Sequence, residues 1–63
     1  MKRNLLIKHL TQNNCTLYRE GARHSLYVSS NGNIAAVPRH PDISDYTAKT
    51  VCQQLGIPII NYN

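Results

Sequence analysis

Two histidines that each follow an arginine are the residues of this sequence best suited to chemistry. They are His24 and His40, in the pairs Arg23-His24 and Arg39-His40, and Arg19 precedes the first pair. Histidine transfers protons near neutral pH because its pKa lies in that range, and arginine pairs with phosphate oxygens. A histidine at the start of a strand is, however, more often a hydrogen-bonded surface residue than a catalyst. On these residues alone, both interpretations of His24 stay open.

Residues that could bind a metal are few and widely spaced. His24 and His40 lack the close spacing usual in a zinc site. Cys15 and Cys52 stand far apart in the sequence, without a CxxC motif. They are expected to be buried free thiols in a reducing compartment, and a disulfide between them stays open because the sequence does not give their separation. The acidic residues are too scattered for a two-metal carboxylate site; they are Glu20, Asp42 and Asp45. The sequence therefore predicts no metal and no cofactor.

The chain is short and basic. Its 63 residues allow one compact domain, residues 1–63, with a small core. Seven Lys and Arg against three Asp and Glu give a formal net charge of +4, which favours a polyanionic partner such as nucleic acid or an acidic protein. A basic surface that only keeps the protein soluble is the alternative. The apolar run near the start is too short for a signal peptide, and no stretch can span a bilayer, so we expect a cytoplasmic protein without membrane contact.

Hydrophobic spacing predicts a helix near each end of the chain. A first amphipathic helix from Lys2 to about Gln12 is indicated by Leu6, Ile7 and Leu10. The second helix begins after Ser44, a preferred N-cap, and ends at Gly56. Its predicted apolar stripe consists of Ala48, Val51, Cys52 and Leu55. The apolar tail, residues 57–60, is expected to pack on the domain or on a partner.

Three strands are predicted between the helices. Alternating polarity with β-branched and aromatic residues indicates strands at residues 15–20, 24–28 and 34–37. Gly21-Ala22 separates the first two strands, and Asn31-Gly32, which suits a hairpin with positive φ, separates the last two. The sequence therefore predicts an α+β fold of order α-β-β-β-α. Its three-stranded antiparallel sheet carries two helices on one face.

Three segments, in this order, resemble one protein family. Tyr18-Arg19-Glu20-Gly21-Ala22-Arg23-His24-Ser25-Leu26-Tyr27 resembles the part of HicA (YcfA-like) toxins where a glycine-containing turn precedes a histidine on the second strand. Val37-Pro38-Arg39-His40-Pro41-Asp42-Ile43 is similar to the family's Pro-Arg-His segment. Val51-Cys52-Gln53-Gln54-Leu55-Gly56-Ile57 is similar to the end of the family's last helix. With the first helix, the resemblance covers nearly the whole chain.

The resemblance implies a fold like that of a double-stranded RNA-binding domain and the toxin of a type II toxin–antitoxin system. Such a toxin is an endoribonuclease that cleaves mRNA independently of the ribosome. His24 matches the position of the family's catalytic histidine and would act as general acid and base without a metal. A HicB-like antitoxin is the implied protein partner, with which the free monomer would form a larger complex. The residues expected to contact RNA are Arg19, Arg23, Arg39, His40 and Lys8.

The turn before His24 departs from the family pattern. Ala22 and Arg23 stand where the family has small residues, and because alanine tolerates positive φ poorly, we expect a turn of different shape. On the neighbouring strands, Tyr18 and Tyr27 could stack on bases or merely cover the sheet.

Roles without catalysis are open for several basic residues. Lys2, Arg3 and Lys8 are expected to form a solvated helix face that adds non-specific attraction to RNA, and His9 is expected to face solvent. His40, between two prolines, is expected to fix a loop or contact a phosphate. The alternatives to a ribonuclease are a non-catalytic RNA-binding module of the same fold and an interaction subunit that binds only an acidic protein.

Overall fold

The computed structural model describes residues 1–60 and confirms the predicted fold. The elements are α1 (Arg3–Gln12), β1 (Thr16–Glu20), β2 (His24–Val28), β3 (Ile34–Pro38) and α2 (Asp45–Leu55). β2 lies in the middle of the sheet and pairs antiparallel with both β1 and β3. Both helices cover the same face of this sheet, and the core lies between the two layers.

The core is formed by alternating strand residues and the apolar faces of the helices. Ala35 and Val37 of β3 are buried, and so are Leu6 and Leu10 of α1. The predicted stripe of α2 is buried along its whole length, at Ala48, Val51, Cys52 and Leu55. Packing of these apolar side chains stabilises so short a chain, because each fully buried valine or leucine side chain contributes about 1.5–3 kcal/mol.

Local interactions set both ends of α2, as predicted. The Ser44 hydroxyl oxygen accepts a hydrogen bond from the Thr47 N–H at 3.1 Å, which satisfies one of the free amides of the first turn. Gly56 ends the helix in the left-handed conformation, with φ 72°. A residue with a Cβ would be strained at that φ, so glycine stops the helix here.

The tail after α2 packs back on the domain. Ile57 and Ile60 pack against the core. The Pro58 carbonyl accepts a hydrogen bond from the His9 ring, whose Nε2 lies 2.7 Å away. His9 is therefore only partly exposed and anchors the tail, a role that the expectation of a solvent-facing residue did not include.

The two cysteines are buried and free, as predicted. Cys15 lies just before β1 and Cys52 in the buried stripe of α2. Burial raises the pKa of both thiols. Both therefore remain protonated at neutral pH and serve as small apolar residues of the core.

The face of the sheet turned away from the helices carries His24. Alternation along β2 places His24 and Leu26 on this open face and turns Tyr27 toward the helices, where it packs against the core. Tyr27 therefore covers the sheet and is not free to stack on a base. β1 is an edge strand, in which Tyr18 and Arg19 both lie opposite Leu26. This arrangement is a β-bulge, which the predicted alternation did not include.

Candidate active site at one end of the sheet

His24 begins β2 beside the β1–β2 turn. Its side chain is exposed, whereas that of the next residue, Ser25, is buried. Its backbone is held from two sides: His24 pairs with Pro38 of β3, and its carbonyl accepts a hydrogen bond from the Gly21 N–H at 2.8 Å. The imidazole is therefore open to a large substrate, while the backbone that carries it is fixed.

The β1–β2 turn, residues 21–23, forms without left-handed backbone. Within residues 1–60, Asn14 is the only non-glycine residue with positive φ, so Ala22 and Arg23 are accommodated without strain. Gly21 is required for a different reason. A Cβ at Gly21 would lie 3.1 Å from the His24 carbonyl oxygen, the atom that the Gly21 N–H binds.

A pocket of about 320 Å³ opens beside this turn. It is lined by Ala22, Arg23, Arg39 and His40. Arg23 directly precedes His24, and Arg39 directly follows Pro38, the strand partner of His24, whereas His24 itself is not among the lining residues. Three of the residues predicted to contact RNA therefore meet in one place. Two guanidinium groups and an imidazole ring form a suitable environment for a phosphate group.

Arg39 joins the two sides of the pocket. Its Nη2 donates hydrogen bonds to the Gly21 carbonyl and to Glu20 Oε1, the latter at 3.2 Å. The Arg39 and Glu20 side chains are 43% and 55% exposed, so this ion pair adds little to the free energy of unfolding. Its effect is positional, because it fixes the residues after β3 against the turn that precedes His24.

A chain of hydrogen bonds continues from Glu20 into the domain. The buried Ser25 hydroxyl donates to Glu20 Oε1 at 2.6 Å and accepts from Arg3 Nη2 at 2.9 Å. Arg3 Nε donates to the Pro38 carbonyl at 2.8 Å. The Ser25 hydroxyl and the charge of Arg39 hold the pKa of Glu20 below its ordinary value, so the carboxylate stays ionised at neutral pH. We call this set the Arg3–Ser25–Glu20–Arg39 network.

Arg3 does not lie on a solvated helix face, so that prediction is wrong for this residue. Its guanidinium bridges β2 and β3 from the start of α1. One signal for the network was present in the sequence: Ser25 occupies an inward-facing strand position, and a buried hydroxyl needs a polar partner. Glu20 and Arg3 carry no comparable signal, because long charged side chains at element ends are usually solvated.

The pocket loop, residues 39–43, is anchored by the start of the chain. The Ile43 N–H donates to the Met1 carbonyl at 2.7 Å, and the Met1 amino group donates to the Ile43 carbonyl at 3.0 Å. The Arg3 N–H donates to the Pro41 carbonyl at 2.8 Å. Although Pro41 within it excludes regular structure, this loop is held along its length.

Lys8 and Arg19, also predicted to contact RNA, lie apart from the pocket. Lys8 is exposed on α1, and Arg19 is exposed on β1 opposite Leu26. Neither residue lines the pocket. Tyr18, beside Arg19, is 60% exposed and is available to stack on a base. RNA contact by Lys8 and Arg19 stays a prediction that the geometry does not strengthen.

Among residues 1–60, no three His, Cys, Asp or Glu side chains are grouped closely enough to hold a metal ion. In the same part of the chain, none of the helices has the length and apolarity needed to cross a membrane.

Comparisons with known proteins gave one match. A family model described as "HicA toxin of bacterial toxin-antitoxin" matches residues 4–57. The matched segment contains all three strands, α2, most of α1 and every residue that lines the pocket. Comparisons with curated proteins and with solved structures gave no match.

Proposed function

Because this chain belongs to the HicA toxin family of bacterial toxin–antitoxin systems, we propose that it is an endoribonuclease that cleaves mRNA independently of the ribosome. The catalytic residue of this proposal is His24, acting as general acid and base without a metal ion. The observation that carries the proposal is the exposed His24 side chain, whose backbone lies next to Arg23 and is paired with the strand that leads into Arg39 and His40, three residues that line one pocket.

The chemistry of RNA cleavage makes three demands on such a site. The 2′-hydroxyl must lose a proton as its oxygen attacks phosphorus, the extra negative charge on the phosphate oxygens must be stabilised, and the 5′-oxygen must gain a proton as it leaves. Imidazole suits both proton transfers near neutral pH. Guanidinium groups stabilise the charge, and they do so best where they are already positioned.

Arg23 and Arg39 supply that charge in different ways. Arg23 is exposed on the turn and lines the pocket. Arg39 uses Nη2 for its contacts with Glu20 and Gly21, which leaves its other N–H donors for a phosphate. Because the network already fixes Arg39, little side-chain entropy is lost when substrate binds. Arg19 and Lys8 add a non-specific attraction for the RNA backbone.

The partner that we propose is a HicB-like antitoxin. A toxin of such a system is silenced by its antitoxin, and a basic surface with a formal charge of +4 favours an acidic protein as well as RNA. The antitoxin would cover His24 and the neighbouring arginines and form a larger complex with a toxin that is monomeric when free. Since the substrate is mRNA, we place the activity in the cytoplasm.

His24→Ala tests the proposal directly. The variant should lose toxicity and RNA cleavage by a factor of about 10²–10⁴, the usual effect of removing general acid–base catalysis. Because His24 is exposed and its imidazole makes no hydrogen bond within residues 1–60, the fold and the RNA affinity should be retained. Cleavage of a labelled RNA in excess EDTA measures the activity, and circular dichroism checks the fold. Lys49→Ala on the exposed side of α2 is the matched surface control.

His24→Gln separates the remaining outcomes, because glutamine keeps a hydrogen-bonding side chain but cannot titrate. Folded variants that cleave RNA at the wild-type rate would show that the catalytic assignment is wrong. A wild-type protein that retains RNA on a filter without cutting it would support the non-catalytic RNA-binding module instead. No retention of RNA at all would point to a subunit that binds only an acidic protein.

A further inference from the structure

The fold leaves the side chain of His40 in the pocket loop uncommitted, as it does that of Asp42. The neighbours of His40 are held: the Arg39 guanidinium bonds to Gly21 and Glu20, and the Pro41 carbonyl accepts from the Arg3 N–H. The His40 side chain is exposed and makes no hydrogen bond within residues 1–60. The loop is therefore held in place without the His40 side chain. The expectation that His40 fixes the loop does not explain why a histidine stands here.

The sheet register brings His40 to the same end of the molecule as His24. His24 and Pro38 are directly paired in the β2–β3 ladder, and His40 follows Pro38 by two residues. Paired Cα atoms lie about 5.5 Å apart and successive Cα atoms about 3.8 Å apart, so the two histidine Cα atoms are at most about 13 Å apart. Two histidine side chains can span that distance with a phosphodiester between them.

We propose that His40 is a second catalytic residue, and that His24 and His40 divide the two proton transfers of RNA cleavage between them. This inference rests on the ribonuclease activity proposed above. In this proposal His40, which lines the pocket, contacts the reacting phosphate group directly.

The reaction then balances without a cofactor. One imidazole takes the proton of the 2′-hydroxyl as the bond between O2′ and phosphorus forms. The other, as imidazolium, gives a proton to O5′ as the bond between phosphorus and O5′ breaks. The products are a 2′,3′-cyclic phosphate and a 5′-hydroxyl end. The pocket arginines stabilise the negative charge in between. After each turnover the two imidazoles must exchange their protonation states with solvent.

The end of the sheet that carries the two histidines also carries charged groups from four segments. These groups are Arg23 on the turn, Glu20 on β1, Arg39 and Asp42 on the pocket loop, and Lys2 and Arg3 at the start of α1.

The pH dependence of kcat/KM distinguishes two catalytic histidines from one. The wild type should give a bell-shaped profile, because one imidazole must be neutral and the other protonated. His40→Gln should lower the rate by about 10²–10⁴ and remove one limb of the bell. His9→Gln, which can still donate to the Pro58 carbonyl, is the matched control and should keep the wild-type profile. A His40→Gln protein with a raised KM, an unchanged kcat and both limbs would overturn the proposal and leave His40 as a phosphate contact.

A substrate with sulfur in place of the bridging O5′ shows which histidine is the acid, because a thiolate leaves without being protonated. Either His24→Gln or His40→Gln should recover most of its lost rate on this substrate, and the other should not. If neither variant recovers, or both do, the division of labour is wrong. If the wild type cleaves no RNA, the ribonuclease proposal itself fails, so the two failures are distinguishable.

A measurement on the wild type avoids any dependence on variant folding. An oligonucleotide that contains 2′-deoxyribose cannot be cleaved, yet it presents the same phosphate. Its binding should shift the NMR signals of the His24 and His40 rings and leave those of His9 unchanged. Shifts at His24 without any at His40 would show that His40 does not reach the phosphate, and the proposal would be overturned.

Discussion

The two turns that flank β2 are held in different ways. The β2–β3 turn, residues 29–33, is closed by its own backbone: the Ser29 N–H donates to the Asn33 carbonyl at 2.8 Å, and the Gly32 N–H donates to the Ser29 carbonyl at 2.9 Å. Gly32 adopts the left-handed conformation with φ 87°, which few other residues tolerate. All the interactions that close this turn come from its own residues.

The β1–β2 turn has one internal hydrogen bond, from Gly21 to His24, and is otherwise held by Arg39 from outside. The external anchor also lines the pocket. The turn that only reverses the chain is thus closed by its own residues, and its link to α2, from Asn33 Nδ2 to the Leu55 carbonyl, is long at 3.5 Å. The turn that carries the proposed catalytic residue is coupled to the loop on the other side of the site, so disturbing one should disturb the other.

Of the variants that test this difference between the turns, the one that removes Arg39, the external anchor, should have the largest effect on RNA cleavage. Arg39→Ala should lower RNA cleavage by about 10²-fold, because it removes both a positioned cation and the link to the turn. The free energy of unfolding should change by less than about 1 kcal/mol, since the lost ion pair is half exposed. Single-turnover cleavage and urea denaturation of the same sample measure the two quantities.

Lys49→Ala removes the same charge far from the turn and is the control for Arg39→Ala. It should leave cleavage within about twofold of the wild type, since a solvated surface charge makes no specific contact. If Arg39→Ala and Lys49→Ala behave alike, the coupling between the turn and the loop is unimportant for activity.

Adding one methyl group to each turn sharpens the comparison. Gly21→Ala places a Cβ 3.1 Å from the His24 carbonyl, so the strand start must move by a few tenths of an ångström, and cleavage should fall about tenfold. Gly32→Ala meets no atom within 4 Å but is strained at φ 87°, so it should lower the free energy of unfolding by about 1 kcal/mol. Its cleavage rate per folded molecule should be unchanged.

The Gly21→Ala and Gly32→Ala variants are controls for each other, because each adds one methyl group. Cleavage kinetics and urea denaturation should give opposite rankings of the two proteins. A Gly32→Ala protein that is folded but inactive would mean that the β2–β3 turn also positions the site.

The smallest expected effect is that of Glu20, which joins the external anchor to the core. The Ser25 hydroxyl and Arg39 hold the pKa of Glu20 below its ordinary 4.5 in the folded state. The ionised carboxylate therefore stabilises the fold above pH 4.5, and this contribution is lost as the pH falls through the lowered pKa. Glu20→Gln should accordingly be less stable than the wild type near neutral pH, and the difference should shrink in acid. Urea midpoints across this pH range test it; parallel curves would contradict the role of the carboxylate.

The fold could be predicted because its signals are local. Ser44 and Gly56 mark the ends of α2 by the chemistry of their own backbone positions, and the bounds of β2 follow from composition and alternation. Apart from the bulge in β1, only details of the ends differ. β3 includes Pro38, which the prediction excluded; this proline is tolerated because it ends an edge strand, where no neighbour needs its missing N–H.

The candidate site could be predicted only in part. Residue types and a family resemblance were enough to select Arg23, Arg39 and His40, and the hairpin register brings them together. The network behind them could not be predicted. Arg3 reaches Ser25 and Pro38 across 22 and 35 positions of sequence, and such contacts depend on how α1 docks against the sheet.

The bulge in β1 has a consequence for encounters between molecules. β1 is an edge strand whose five residues are all exposed, and such an edge is a template on which a strand of another molecule can pair. With two residues, Tyr18 and Arg19, opposite Leu26, the amides and carbonyls along this edge lose their regular spacing. A second chain could not form a continuous ladder there, and the adjacent charges of Arg19 and Glu20 further oppose it. The irregular strand thus protects a small protein with an open sheet from aggregating through its edge.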